Sequence, residues 1–182
     1  MILTTKRLIL RPITMKDAKG LVEQINNIKI SRYLLVVPHP YTLKDARWFI
    51  NDCKRESKEK PRTSYEFTIE LKEERKLIGG FGLTHIDMFH GTADLGYWLG
   101  EGYRRKGYAT EAAEKVMELA FKKLRLRKLR IPVFAENKAS NGFANKLGFK
   151  LEGTLRKHCK SKSNGKIHDE NIYGLLREEW KK

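Results

Sequence analysis

Apolar positions along this chain switch between two periods, and the switches mark its elements. Residues 7–12, RLILRP, alternate as a half-buried strand does. Thr14 to Asp17 is a variant capping box that predicts a helix to about Asn26, with Ala18, Leu21, Val22 and Ile25 on one face. Thr42 to Asp45 repeats the device before a second helix, whose apolar side is Ala46, Phe49, Ile50 and Cys53. The segment 54–62, KRESKEKPR, reads as a solvated turn or helix end. Strands are then predicted at Tyr65–Leu71, Lys76–His85 and Thr92–Leu99, an antiparallel meander. Gly79, Gly80 and Gly82 predict bends or bulges in the middle one.

The strongest period follows. Ala109, Ala112, Ala113, Val116, Met117, Ala120, Phe121 and Leu124 recur at helical spacing, an unbroken apolar stripe. Leu129–Phe134 is a strand, Ser140–Leu147 a short helix stopped by Gly148, and Phe149–Leu155 and Ile167–Leu176 are closing strands. The link 157–166, KHCKSKSNGK, is basic and turn-rich and is expected to be mobile. Helices and strands mix throughout, with no repeat and no linker. The expectation is one α/β (α+β) domain over 1–182.

Composition narrows this little. The chain is 40% hydrophobic and 33% charged, as soluble globular proteins are. No apolar run is long enough to cross a bilayer, and MILTTKRLIL is too short and polar for a signal peptide. Cys53 and Cys159 fit no disulfide framework or zinc spacing, and the histidines at 39, 85, 90, 158 and 168 show no metal spacing. A cytoplasmic protein without metal or membrane partner is expected. The net charge of +16 attracts anions such as nucleotides or RNA, or is simply a basic surface. KKLRLRKLR at 122–130 holds six cations in nine residues, which suit RNA phosphates or a solvated helix end equally.

One stretch breaks a local rule. In GYRRKGYATEAAEKV, 102–116, Arg104, Arg105 and Lys106 precede a helix whose start has no Ser, Thr, Asp or Asn cap. Cations oppose the helix dipole there, by ~0.3–1 kcal/mol each if exposed. Both oddities are resolved by an external anion: a phosphate would accept from the unpaired N–H groups, and Gly107 would let it approach. No P-loop and no dinucleotide fingerprint is present; GGFG at 79–82 precedes no helix.

Strand–RRKGYA–helix resembles the pyrophosphate loop of the GNAT acyltransferases, which bind acetyl-CoA. TTKRLILRPITMKDA (4–18), LGYWLGEGYRRKGYATEA (95–112), ENKASNGFANKLGFKLEGTLR (136–156) and DENIYGLLREEW (169–180) resemble, in order, blocks of the RimJ/RimL branch, the N-terminal acetyltransferases of ribosomal proteins. The resemblance implies a mixed, mostly antiparallel sheet splayed between the fourth and fifth strands, flanked by about four helices.

It also implies roles. Backbone N–H groups from about Arg105 to Thr110, through Lys106, Gly107, Tyr108 and Ala109, would hold the pyrophosphate, reinforced by Arg104 and its neighbours. Main-chain groups near Trp98 and Leu99 would hold the pantetheine, with Asn137 and Lys146 alongside. An amine would attack the thioester directly in a ternary complex. The acid Tyr of many relatives falls on Ala144, and the Glu that some use as base falls on Pro132, so both are missing. Ser140 is the implied acid, with an N-cap role beside it. Asp94 ranks first as base, before Glu111 and Glu136. Tyr173 is expected in the acceptor pocket. The acceptor is expected to be a protein α-amine. A polyamine or aminoglycoside is the alternative, and a non-enzymatic RNA- or ribosome-binding module a further one. A monomer and a homodimer both remain open.

Overall fold

A computed structural model describes residues 1–181. Eight strands form one sheet in the order β1-β2-β3-β4-β5-β6-β8-β7. They are β1 (Leu3–Thr4), β2 (Leu8–Arg11), β3 (Tyr65–Leu71), β4 (Lys76–Asp87), β5 (Thr92–Leu99), β6 (Lys128–Phe134), β7 (Lys150–Lys160) and β8 (Ile167–Leu176). The helices are α1 (Ala18–Ile25), α2 (Ile28–Ser31), α3 (Leu43–Glu56), α4 (Tyr108–Glu118) and α5 (Lys138–Lys146).

Every neighbouring pair is antiparallel except β5 and β6. That parallel pair holds only at Thr92–Lys128, Ala93–Leu129 and Asp94–Arg130. Beyond it β5 follows β4, and β6 follows β8. The sheet is thus open along a seam, as the resemblance implies. The short β1, which no period announces, makes the splayed strands the fifth and sixth. The four-residue α2 was likewise not expected.

Each face of the sheet has its own core. On one, α4 buries Ala112, Ala113, Val116 and Met117 against β2, β4 and β5. The apolar stripe runs on through a π-turn at Leu119–Lys123, which keeps Ala120 and Phe121 buried. On the other, α1 and α3 bury Ala18, Leu21, Ile25, Ala46 and Ile50 with Leu77. Thr42 and Asp45 cap α3 reciprocally: Asp45 accepts from the Thr42 N–H at 2.8 Å, and Thr42 Oγ1 from the Asp45 N–H at 3.3 Å. Asp17 accepts from the Thr14 N–H (2.7 Å) and from both Arg11 Nη atoms (2.9 and 2.8 Å), pinning α1 to β2.

α3 ends at Glu56, inside the 54–62 segment read as a solvated turn or helix end. The expectation of a mobile 157–166 link needs correction. Residues 157–160 belong to β7, so Cys159 lies buried in a strand and not in a mobile loop. The residues after it are also held: the Lys162 N–H donates to Leu35 O (3.1 Å), seating the β7–β8 turn on the α2–α3 connection. No helix of the described residues is long and apolar enough to cross a membrane.

Candidate active site

The seam supplies the first part of the site. Past Asp94–Arg130, β5 has no strand partner on its β6 side, so the backbone groups of Leu95–Leu99 on that edge are available to an extended ligand. Asp94 marks the apex. Its carboxylate accepts from Arg130 Nε at 2.7 Å and pairs with His85 Nδ1 at 3.1 Å.

The second part is the loop after β5. A short 3-10 turn, Glu101–Tyr103, leads to Arg105 with φ 60° and Gly107 with φ 84°. Gly107 is the N-cap of α4, and no side chain caps the helix. Helix geometry leaves the N–H groups of Tyr108, Ala109 and Thr110 without internal partners. Arg104, Arg105, Lys106 and Gly107 are all exposed at this end. A pyrophosphate fits here: free donors, a glycine in a conformation that L side chains rarely adopt, and cations around them. A fourth cation, which the motif did not reveal, braces the loop. Arg7 donates from Nη1 to Lys106 O (3.0 Å), and its guanidinium lies 4.4 Å from the Tyr108 ring centre.

Arg7 also binds Glu111, which accepts from Arg7 Nε at 2.7 Å, the Arg7 N–H at 2.8 Å and Thr5 Oγ1 at 2.5 Å. Burial raises the Glu111 pKa, but these bonds outweigh it and hold it below the usual value. Glu111 therefore ties the β1–β2 turn to α4.

The third part crosses the seam. Tyr97 of β5 and Ser140 of α5 meet hydroxyl to hydroxyl at 2.8 Å. Tyr97 is wedged between the rings of Phe81 (5.7 Å) and Phe143 (4.6 Å). Burial pushes its pKa up to about 12, against the opposing pull of Ser140 and Arg104. Ser140 is not the cap of α5: Asn137 is, its Oδ1 accepting from the Ser140 N–H at 3.2 Å. The Ser140 hydroxyl is thereby left for Tyr97. Ala144 is fully buried, and Lys146 is exposed at the helix end. Tyr173 is buried and donates to Asn141 Oδ1 (2.9 Å), so it supports α5 and does not line the pocket.

The fourth part is a cavity of about 510 Å³ on the α1–α3 face. The α2–α3 connection, Trp48 and Phe49 form its outer wall, and Gly80, Gly82, Gly96, Tyr97 and Trp98 its floor. Trp98 lies over Gly80, where a Cβ would come 2.6 Å from its Nε1. Glu66 of β3 also lines it, its pKa raised to about 7 by burial and by Glu56. Leu99 is buried in the core, so only its main chain serves the seam.

Elsewhere, one group of His, Cys and carboxylate side chains comes together among the described residues: His158, Cys159 and Glu170. Cys159 Sγ donates to Glu170 at 3.2 Å, and burial and this bond push its pKa up to about 11. A protonated thiol is a poor metal ligand. In the basic run, Lys122 lies over Trp180, Arg127 Nε donates to His90 O, Lys128 pairs with Glu152 and Arg130 with Asp94. Those four cations serve the fold.

A model of the acetyltransferase (GNAT) domain matches residues 7–150. The chain is 32% identical to the uncharacterized N-acetyltransferase p20 of Bacillus licheniformis, over 98% of this chain and 97% of that protein. It is 28% identical to the putative ribosomal N-acetyltransferase YdaF of Bacillus subtilis, over 96% of this chain and 94% of that one. The solved structure of the microcin C7 self-immunity acetyltransferase MccE, in complex with acetyl-CoA and AMP, superposes with a TM-score of 0.81 at 28% identity, over 94% of this chain and 93% of that one. With the split sheet, the uncapped helix and these matches, the chain belongs to the GNAT family and is an acetyl-CoA-dependent N-acetyltransferase.

Proposed function

We propose that the chain acetylates the N-terminal α-amine of a protein, a ribosomal protein in keeping with the branch its motifs resemble, by direct attack in a ternary complex. When bound, acetyl-CoA supplies the thioester that the amine attacks and the sulfur that leaves. The N–H groups from Arg105 to Thr110 hold the pyrophosphate; Arg104, Arg105 and Lys106 add charge. The Trp98–Leu99 main chain, Asn137 and Lys146 line the pantetheine path. Ser140 and Tyr97 keep protonated hydroxyls on the seam, where a departing thiolate needs a donor. Asp94, held by Arg130 and His85, keeps the apex closed, a positioning role in place of the base.

The observation that carries the acceptor reading is the lining of the cavity. Leu34, Leu35, Val36, Val37, Trp48 and Phe49 make it apolar, with Glu66 and Asp45 its acidic side chains. A polyamine spreads several charges along its length and needs a carboxylate for each. One amine on an apolar residue needs one. An α-amine, with pKa near ~8, is also the easier nucleophile to free at neutral pH.

The test is acetyl transfer to a panel of N-terminal peptides, spermidine and an aminoglycoside. Transfer to peptides is expected. Preference for either small polycation would refute the α-amine reading and leave the family intact.

A further inference from the structure

One carboxylate near the seam, Glu66, has been given no chemical step above. Glu66 makes no hydrogen bond or ion pair among the described residues. The other acids of the region are engaged: Asp94 by Arg130, Glu111 by Arg7, Glu70 and Asp17 by Arg11. Glu66 is half-buried, and an unpaired carboxylate held partly out of water is costly unless it takes up a cation or a proton.

Its position gives it a direction. Glu66 is in register with Gly82, and Gly82 with Gly96, so the three form one row across β3, β4 and β5 on the α1–α3 face. The carboxylate lies over Gly82, where a Cβ would come 2.7 Å from each of its oxygens. Beyond it, a Cβ on Gly96 would meet nothing within 4 Å. With strands ~4.8 Å apart, the carboxylate is about one strand spacing from the β5 edge that borders the seam. Two glycines thus clear a path from Glu66 to the place where the thioester is bound.

We propose that Glu66 receives the ammonium of the acceptor in this cavity and takes its proton, and that the acceptor is an amine carried by a large apolar first residue. This rests on the α-amine reading above and deepens it. The rest of the cavity supports the second half: its wall is aliphatic and aromatic, and at its mouth Leu35, Val36 and Trp48 are 43%, 65% and 66% exposed. Such a wall takes up an apolar side chain while the carboxylate fixes the amine.

The ammonium gives one proton to Glu66. Its nitrogen then bonds to the acetyl carbon, the carbon–sulfur bond breaks, and the second proton passes to sulfur through Tyr97 and Ser140. Glu66 afterwards releases its proton to water. The ionisable groups around Glu66 are Cys53 and Glu56 of α3, with Asp45 and Lys162 on the cavity wall. Burial and Glu56 set Glu66 near 7, within about one unit of an α-amine, where proton transfer is closely matched.

The test compares wild type, Glu66→Gln and Glu66→Asp on three acceptors: a tripeptide beginning with phenylalanine, one beginning with aspartate, and spermidine. The wild type is expected to favour the first tripeptide over the second by at least about tenfold. Its kcat/KM should rise with pH through about 7, as the carboxylate ionises. Glu66→Gln should lose about 100-fold or more and lose that limb. Glu66→Asp should keep the limb at a lower rate. Both variants should keep the thermal shift given by acetyl-CoA, which shows that they are folded and loaded. A Glu66→Gln enzyme within about threefold of wild type, with its limb intact, overturns the role of Glu66. Equal use of the two tripeptides overturns the apolar first residue. Preference for spermidine overturns both that residue and the α-amine reading, and Glu66 is then judged by the same limb on spermidine.

Discussion

Tyr97 and Ser140 share a 2.8 Å hydrogen bond across the open seam, the one from β5 and the other from the helix that follows β6. Their two hydroxyls stand where the family's usual tyrosine is absent, its position being the fully buried Ala144. A phenol with raised pKa stays protonated throughout the working range and so keeps its donor.

Tyr97→Phe and Ser140→Ala should each lower kcat by about 10- to 100-fold with little change in acetyl-CoA affinity. The double variant should lose no more than the worse single one, because the pair acts as a unit. Steady-state kinetics with a thermal shift for acetyl-CoA measures this; additive losses would separate the two hydroxyls.

Asp94→Asn should reduce kcat/KM by less than about tenfold and leave its pH profile unchanged, since Asp94 is committed to Arg130 and His85. A loss of two orders of magnitude, with the acid limb gone, would make Asp94 the base after all.

Asp17 is 8% exposed and lies between Arg11 and Thr14. Burial raises its pKa, but the bonds from Arg11 and Thr14 prevail and lower it below the ordinary value. A depressed folded pKa contributes stability above the ordinary carboxylate range, lost as pH falls through the folded value. Asp17→Asn should therefore cost about 3 kcal/mol at pH 7, and the difference should shrink at a second, acidic pH below the ordinary carboxylate range. Urea unfolding at the two pH values checks it.

The parts legible in the sequence were those fixed within a few residues. The stripe from Ala109 to Leu124, both capping boxes and the uncapped start at Gly107 are local patterns, and the structure keeps them. What escaped depends on distant partners. The alternation of YEFTIEL does not show that Glu66 lines a cavity, on a face where Thr68 is 2% exposed. Tyr97 carries no local sign of its role because Ser140, its partner, is 43 residues away. Arg7 reaches the loop before α4 across 99 residues. Asn141, which binds the carbonyls of Phe134 and Asn137 and the side chains of Asn171 and Tyr173, had no periodic signature at all. The turn expected to be mobile is held by β7 and Leu35, contacts that composition does not show.

We propose that the backbone at the head of α4 holds the coenzyme, with the cations in support. Gly107 has φ 84°, and a Cβ there would sit 3.3 Å from Arg7 Nη2. A β-branched residue is strained in that conformation whatever the space. Calorimetric titration of acetyl-CoA into wild type, Gly107→Val and the single alanine variants of Arg104, Arg105 and Lys106 is the most direct measurement, with thermal unfolding to show that each is folded. Gly107→Val is expected to weaken binding by about 100-fold or more and each alanine variant by less than about tenfold, a charge-assisted contact being worth only ~1 kcal/mol when exposed. Tight binding by Gly107→Val, or a larger loss from any one cation, would contradict it.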